Sequence, residues 1–454
     1  MSIVKVSAKD MTQGNPIKLM LEFSMPLMLG NIFQQLYTFV DALIVGQKVG
    51  AYALAALGAT EWLVFIMFGV IQGMTQGCSV IIAQHFGNKR VDLLQKSIYS
   101  TFGIFVIGAV GFTMVGQVTL VPCLKLLKTP SEILKLTNIY LRILYWGIPI
   151  TFLYNTLAAI LRALGNSKIP LSAMLISSIG NIVLDLIFVI KLDLGIAGAA
   201  YGTVLAQVLA VIYCINAIRK MEVCRVYKCN RILEKKVILE QIKIGLPIGL
   251  QNMITAMGGL VVQTTANGFG ILFITGYSAA NKLYALLEIA ATSYAQGILT
   301  YTAQNKGLGS RKRIRDGLLS ALAIGMITAM LMSCIMILAG ENILSIFIKE
   351  TEIEVAEAIG VGYSFLKILA LGFPLLYCLY VIRACIQGLG KSVFAMVSSF
   401  VQVLMRIMCA LLLTKIIGNQ GIFWGEIFAW VGADIFLLIV FIYQYRRMKT
   451  INKI

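Results

Sequence analysis

Histidine is almost missing from this sequence: His85 is the only one in 454 residues, and charged residues of all kinds make up just 13%. That lone imidazole ends an apolar stretch beside a basic loop, where it reads as a solvated helix end. It leaves no serine–histidine pairing and no histidine-based metal centre, and no phosphate-cradling glycine loop is present, so an enzyme is not expected. The scarcity of charge, set against 59% hydrophobic residues, excludes a water-soluble globule, whose apolar share is nearer about half. Strict period-two alternation is lacking too, which excludes a β-barrel. Nor is a disulfide scaffold indicated. Cys78, Cys334, Cys378, Cys385 and Cys409 lie inside apolar stretches, where they pack as small hydrophobes. Cys224 and Cys229 share a basic loop but have no second thiol pair and make a poor metal site.

What the sequence has in quantity is apolar runs of helix length. A helix needs about 20 residues to cross roughly 30 Å of hydrocarbon. Twelve such spans are predicted, near 17 to 45, 53 to 84, 93 to 119, 133 to 161, 170 to 190, 196 to 218, 242 to 268, 276 to 301, 317 to 339, 357 to 386, 393 to 417 and 422 to 445. The expectation is an all-α polytopic protein of the cell membrane. The polar stretch from Met1 to Asn15 has no small-residue cleavage site, so no removable signal peptide is expected.

The net charge of +18 is set by topology and not by nucleic acid. Arg219, Lys220, Arg225, Lys228, Arg231, Lys235, Lys236 and Lys243 crowd the central connection. Lys89, Arg90 and Lys96 follow the second span, Lys306, Arg311, Lys312, Arg313 and Arg315 the eighth, and Arg446, Arg447, Lys449 and Lys453 the last. All fall on one side, which the positive-inside rule makes cytoplasmic together with both termini. The opposite ninth-to-tenth connection is acidic (Glu341, Glu350, Glu352, Glu354, Glu357). Lys125, Lys128 and Lys135 depart from the rule, and an amphipathic segment on the membrane surface would accommodate them.

The chain repeats itself. Pro26 and Asn31 recur as Pro247 and Asn252, an offset of 247 − 26 = 221. Gln76-Gly77 and Ala83-Gln84 return as Gln296-Gly297 and Ala303-Gln304 at 220, and Gly147-Ile148-Pro149 and Leu164-Gly165 as Gly372-Phe373-Pro374 and Leu389-Gly390 at 225. Ser177-Ser178 matches Ser398-Ser399 at 221, and Gly198 and Gly202 match Gly421 and Gly425 at 223. Six spans separate each pair, so the two pseudo-symmetric six-helix lobes have the same orientation and a cavity between them is expected. The predicted division is an N-lobe over 1–220, a basic linker over 221–241 and a C-lobe over 242–454.

Tyr37-Thr38-Phe39-Val40-Asp41 followed by Val45-Gly46, the Gln76-Gly77 and Ala83-Gln84 pairs, Arg162-Ala163-Leu164-Gly165-Asn166, and Gly198-Ala199-Ala200-Tyr201-Gly202-Thr203 together resemble the multidrug and toxic compound extrusion (MATE) family. The resemblance runs over essentially the whole chain. It implies a V-shaped pair of lobes and export of drugs, often cationic, by alternating access in exchange for Na⁺ or H⁺. It also implies that Asp41, Asn181, Asp185 and Thr203 match the acidic cation pocket of archaeal and bacterial members. A lipid-linked oligosaccharide flippase of the same superfamily is the alternative. The expected partners are small drug-like molecules and the bilayer, the expected state is a monomer, and no cofactor beyond the coupling ion is expected.

The chemistry of that pocket also follows from the residues. A carboxylate at the centre of a membrane helix costs about 2.5–3.5 kcal/mol, so Asp41 calls for a partner or a function. Gln34, Tyr37, Thr38 and Asp41 fall on one helix face, as do Ser177, Asn181 and Asp185, and Thr203 and Gln207. Converged, they form a hard-oxygen site fit for Na⁺ or a proton. Applying the repeat offsets, the C-lobe counterparts of Asp41, Asn181, Asp185 and Thr203 are Val262, Gln402, Arg406 and Glu426. Arg406 and Glu426 are expected to form a fixed ion pair in place of a cation pocket, which leaves exchange to the first lobe. Glu288, with Asn281, Tyr284 and Thr292 at helical spacing, is a candidate counter-ion for a cationic drug, or a static partner of Lys282 or Lys367. Gln34, Tyr37, Tyr284 and Glu288 are the candidate cavity residues. Pro26 and Gly30 supply a place for the first span to bend.

Overall fold

The computed structural model describes residues 8–347 and 352–448; Glu350, Lys449 and Lys453, counted above in the charge argument, lie outside them. The described residues fold into fourteen α-helices and no strand. In chain order these are α1 Pro16–Lys48, α2 Ala51–Gly87, α3 Val91–Leu126, α4 Ser131–Trp146, α5 Ile148–Ala163, α6 Lys168–Asp185 and α7 Gly195–Arg219. There follow α8 Lys235–Asn267, α9 Ile271–Leu308, α10 Arg311–Phe347, α11 Glu352–Gly388, α12 Ser392–Met408, α13 Thr414–Ile417 and α14 Gln420–Arg447. Ten spans are long and apolar enough to cross a bilayer, and α4 with α5 makes an eleventh, bent by 49° at Gly147. The twelfth expected span is α9, which at 38 residues is ample in length but carries Asn281, Lys282 and Glu288 and is correspondingly less apolar.

The span expected over 133 to 161 is thus two helices. Pro149 has no N–H to give the preceding turn, and Gly147 ends α4 and starts α5. Packing explains the glycine: a Cβ on Gly147 would drive into Val204 of α7. Its repeat partner Gly372 meets Ile427 of α14 in the same way, and 427 − 204 = 223 is again the repeat offset. α11 nevertheless stays one helix through Pro374.

The chain forms two compact units. Of the described residues, one comprises those up to Met11 together with Met25–Gly249, the other Thr12–Ser24 together with those from Leu250 onward. Each unit therefore takes its opening half-helix from the other half of the sequence. In the first unit α8 lies on α2 through two Gly-xxx-Gly pairs, Gly73 against Gly249 and Gly77 against Gly245, with no room for a Cβ between the backbones. In the second unit Gly297 of α9 receives Ser24 of α1. The pairs Gly77–Gly245 and Gly297–Ser24 are related by offsets of 220 and 221, so the recurring Gln-Gly dipeptides mark the two places where a half-helix seats. Pro26 and Pro247 stand within three residues of these crossovers.

The central connection is held, not loose. Gln95 Oε1 accepts from the Tyr227 N–H (3.3 Å) and Asn230 Nδ2 (2.9 Å), and Lys96 pairs with Glu234 at 3.2 Å. Gln241 Nε2 donates to Thr101 Oγ1 (2.8 Å). His85 is half-buried, and its Nδ1 lies 2.6 Å from Ser97 Oγ, so it joins α2 to α3 and is not simply solvated. Cys224 is buried and Cys229 exposed; burial pushes the Cys224 thiol up to about 12.

Candidate functional site

The three polar faces of the first unit meet inside an apolar cluster built from α1, α2, α4, α7 and the turn Leu186–Lys191 after α6, around Val45, Ala56, Val189 and Ala200. Asp41 is 8% exposed, Asn181 1% and Asp185 not at all. The Asp41 and Asp185 carboxyls are in hydrogen-bond contact with each other. Each also has an oxygen, Oδ1, that is buried and accepts nothing from any described residue. Asn181 supports the pair from one turn above Asp185. Turned with its nitrogen toward the carboxyl, its amide donates to Asp185 Oδ2 (3.2 Å) and accepts from the Thr203 N–H (3.2 Å). The opposite orientation leaves the nitrogen only a 3.4 Å contact with Thr203 Oγ1, so the first is adopted, since it satisfies both amide atoms. Thr203 Oγ1 itself donates to the Ala199 carbonyl at 3.1 Å.

Two local features place Asp185. Directly after it the backbone widens into a π-helical turn, Leu186–Lys191, of the kind that re-aims side chains inside helices. Gly202 of α7 gives the carboxylate its space, because a Cβ there would overlap Asp185 Oδ1. The second unit repeats the device: a π-turn at Cys409–Leu413 faces Gly425, whose Cβ would press on Cys409 at 3.1 Å.

Along α1 the polar face is graded. Asp41 is buried, Tyr37 half-buried, and Gln34 and Thr38 exposed, Thr38 Oγ1 being turned to the Gln34 carbonyl (3.0 Å). Gln207 accepts a hydrogen bond from Thr151 of α5. Tyr140 of α4, 8% exposed, lies close enough to interact with both carboxyls; nothing in the sequence marks it, since a tyrosine in an amphipathic helix carries no distinguishing pattern. Gly30 is packed against the Met174 sulfur of α6, and Pro26 interrupts the α1 ladder four residues earlier.

In the second unit the four counterpart positions are differently furnished. Val262 is a buried aliphatic. Arg406 Nη2 donates to Glu426 Oε2 at 2.6 Å, with both side chains almost enclosed. Gln402 accepts from Arg383 Nη2 (3.0 Å), and Arg383 Nε donates to Ser398 Oγ (3.1 Å). Glu288 accepts from Tyr284 (3.2 Å) and from Tyr380. Lys282 and Lys367 are exposed, and the Lys367 ammonium rests over the Tyr363 ring at 4.3 Å. Phe273, Tyr277, Phe365 and Phe423 form a stacked aromatic group beside the Arg406–Glu426 end of the lobe. The sequence reading passed over Arg383 and Asp434, although both are charges inside apolar spans.

Comparison with known proteins meets this architecture twice over. The MatE family matches residues 26–187 and again 247–412, and the two matches start 221 residues apart, at Pro26 and Pro247. The chain belongs to this family, multidrug and toxic compound extrusion (MATE). A solved MATE structure, described as the outward-facing conformation of a multidrug resistance transporter of the MOP superfamily, superposes with a TM-score of 0.89 at 21% identity over 100% of both chains. Among sequence relatives, the probable multidrug resistance protein YpnP of Bacillus subtilis (strain 168) is 29% identical over 92% of this chain and 93% of its own. The multidrug export protein MepA of Staphylococcus haemolyticus (strain JCSC1435) is 24% identical over 97% and 96%. The MATE fold thus has twelve spans in two six-helix lobes, in a multi-pass membrane transporter.

Proposed function

We propose that this MATE protein exports drugs and toxic organic compounds, cationic ones among them, in exchange for Na⁺ or H⁺ taken up at Asp41, Asn181, Asp185 and Thr203. The observation that carries the reading is the contact between two buried carboxyls that each keep an unmet oxygen. Two bare carboxylates at that separation repel, so the pair needs a proton or a cation between them. An all-oxygen donor set suits Na⁺, and the carboxyl contact suits a shared proton. Removing either ion restores the repulsion and favours a different packing of α1 against α6. Pro26, where the ladder lacks a donor, is the point at which α1 can respond, and that response is how ion exchange drives alternating access. In the second unit Glu288, held by Tyr284 and Tyr380, is the counter-charge for a cationic drug; in the first, Tyr37 and the exposed Gln34 are the candidate substrate contacts. The lysine- and arginine-rich connections support cytoplasmic termini, and the acting unit in this reading is a single chain.

The names of the relatives, multidrug resistance and multidrug export proteins, support the substrate class. The flippase alternative gains nothing, because Arg383 and Arg406 are engaged by side-chain partners and are not presented to an anionic lipid. The test is dye transport in reconstituted vesicles under imposed Na⁺ or pH gradients, comparing wild type with Asp41→Asn and Asp185→Asn. Efflux driven by one gradient and lost in both variants is expected; efflux that ignores both gradients would sink the antiporter reading.

A further inference from the structure

The second lobe, which the repeat deprives of both pocket aspartates, contains another carboxylate. Asp434 lies on α14 at 6% exposure, and neither of its oxygens accepts a hydrogen bond from any described residue. One turn earlier on the same face, Trp430 is fully buried and its indole Nε1–H finds no acceptor among the described residues. One donor and two acceptors are therefore left unmet side by side in the middle of an apolar helix, at a place where each unpaired group is costly.

The surroundings supply one positive charge and withhold it from direct contact. α14 packs on α11 and α12. Among the titratable groups these bring are Cys378, Tyr380 and Arg383 from α11 and Arg406 and Cys409 from α12 and its π-turn, with Glu426 on α14 itself. Arg383, 5% exposed, interacts with Asp434 electrostatically but spends its hydrogen bonds on Ser398 and Gln402. Cys378 is the other neighbour. Arg406 is committed to Glu426, and Glu288 is committed to two tyrosine hydroxyls. The enclosed network of this lobe thus holds three carboxyls, Glu288, Glu426 and Asp434, against two guanidiniums, Arg383 and Arg406. One proton balances it, and Asp434 is the carboxyl with no hydrogen bond to hold a charge.

We propose that Asp434 is a proton-exchange site of the C-lobe, separate from the carboxyl pair of the N-lobe. Loaded, it is the neutral acid. Unloaded, the O–H bonding pair stays on the carboxylate, the proton passes to water, and the Arg383 guanidinium turns from Gln402 to meet the new charge. Trp430 stacks on Tyr284 (ring centroids 6.4 Å apart, planes 12° apart), whose hydroxyl donates to Glu288, so two rings, Trp430 and Tyr284, lead from the site to the proposed substrate carboxylate.

The proposal does not depend on antiport at Asp41, and its test removes that pair. In purified protein carrying Asp41→Asn and Asp185→Asn, infrared difference spectra are recorded from neutral to alkaline pH, above the ~4 at which exposed carboxyls lose their protons. A carboxylic-acid C=O band that disappears as pH rises is expected. Adding Asp434→Asn should remove that band, and Asp434→Glu should keep it at a shifted frequency; the glutamate variant decides the matter if the asparagine variant does not fold. Absence of the band from the double variant overturns the proposal, as does a band that Asp434→Asn leaves in place or Asp434→Glu leaves unshifted. The two readings fail separately: dye efflux that ignores both gradients sinks antiport at Asp41 and leaves this band untouched, whereas loss of the band sinks only the Asp434 proposal.

Discussion

At Asp185 three independent constraints act on one side chain: the π-turn that follows it, the amide of Asn181, and the bare Cα of Gly202. The last is the most exposed to test. Replacing Gly202 with alanine puts a methyl group where Asp185 Oδ1 sits, so the carboxylate must leave Asp41. Gradient-driven dye efflux by Gly202→Ala is expected to fall at least about tenfold, equivalent to ~1.4 kcal/mol, while the variant still inserts and elutes as a single species. Undiminished efflux would mean that the carboxyl contact is not needed. The intramembrane-charge rule leads to Asp41 and Asp185 from sequence, and the structure brings those two together with Asn181 and Thr203. The same rule applied to α11 and α14 leads to Arg383 and Asp434. They were passed over because comparison by repeat looks for counterparts, and neither residue has a charged one. Tyr140 was illegible for a different reason: its proximity to the carboxyls depends on where α4 breaks, which no periodicity encodes.

At the scale of helices, the regularities that read as a repeat are mostly contact points. Gly73 and Gly77 let α8 approach α2 backbone to backbone, and Gly147 and Gly372 admit the branched residues Val204 and Ile427. Without a hydrophobic drive between helices in lipid, such close approach is a main source of association. Gly77→Val should therefore cost more than an ordinary overpacking change of about 1–3 kcal/mol, because backbone and not side chain stands in the way. A drop in Tm in detergent, read by thermal shift, is the expected outcome, and a surface-facing control such as Gly111→Val, which meets nothing within 4 Å, should leave Tm in place. Equal effects at the two positions would count against the backbone contact. Twelve spans were legible from hydropathy alone, including α9 despite its polar stripe. The break at Gly147 and the two π-turns were not, since each is decided by what packs opposite: Val204 at the break, Gly198 and Gly202 at the first π-turn, Gly421 and Gly425 at the second.

For the molecule as a whole, charge placement and thiol chemistry combine in one measurement. Cys229 is exposed in the basic connection, whereas Cys224 is buried nearby with its thiol at about 12, so at neutral pH it stays unreactive. A membrane-impermeant maleimide should label Cys229 in inside-out vesicles and leave it untouched in right-side-out ones, with Cys229→Ser abolishing the signal. Labelling from the outside would invert the topology argued from lysine and arginine. The exchange of opening half-helices bears on how such a chain can be made. Ser24 finds its seat at Gly297, 297 − 24 = 273 residues downstream, whereas Gly77 receives Gly245 after only 245 − 77 = 168. During synthesis the first lobe can close on α8 while the opening turns of α1, with Met20 and Phe23 destined for burial, still wait for α9 to be translated. The segment that emerges first therefore cannot seat until α9 has been made, and a premature stop anywhere before α9 leaves that apolar segment unclaimed, a mark by which quality control can recognise the fragment.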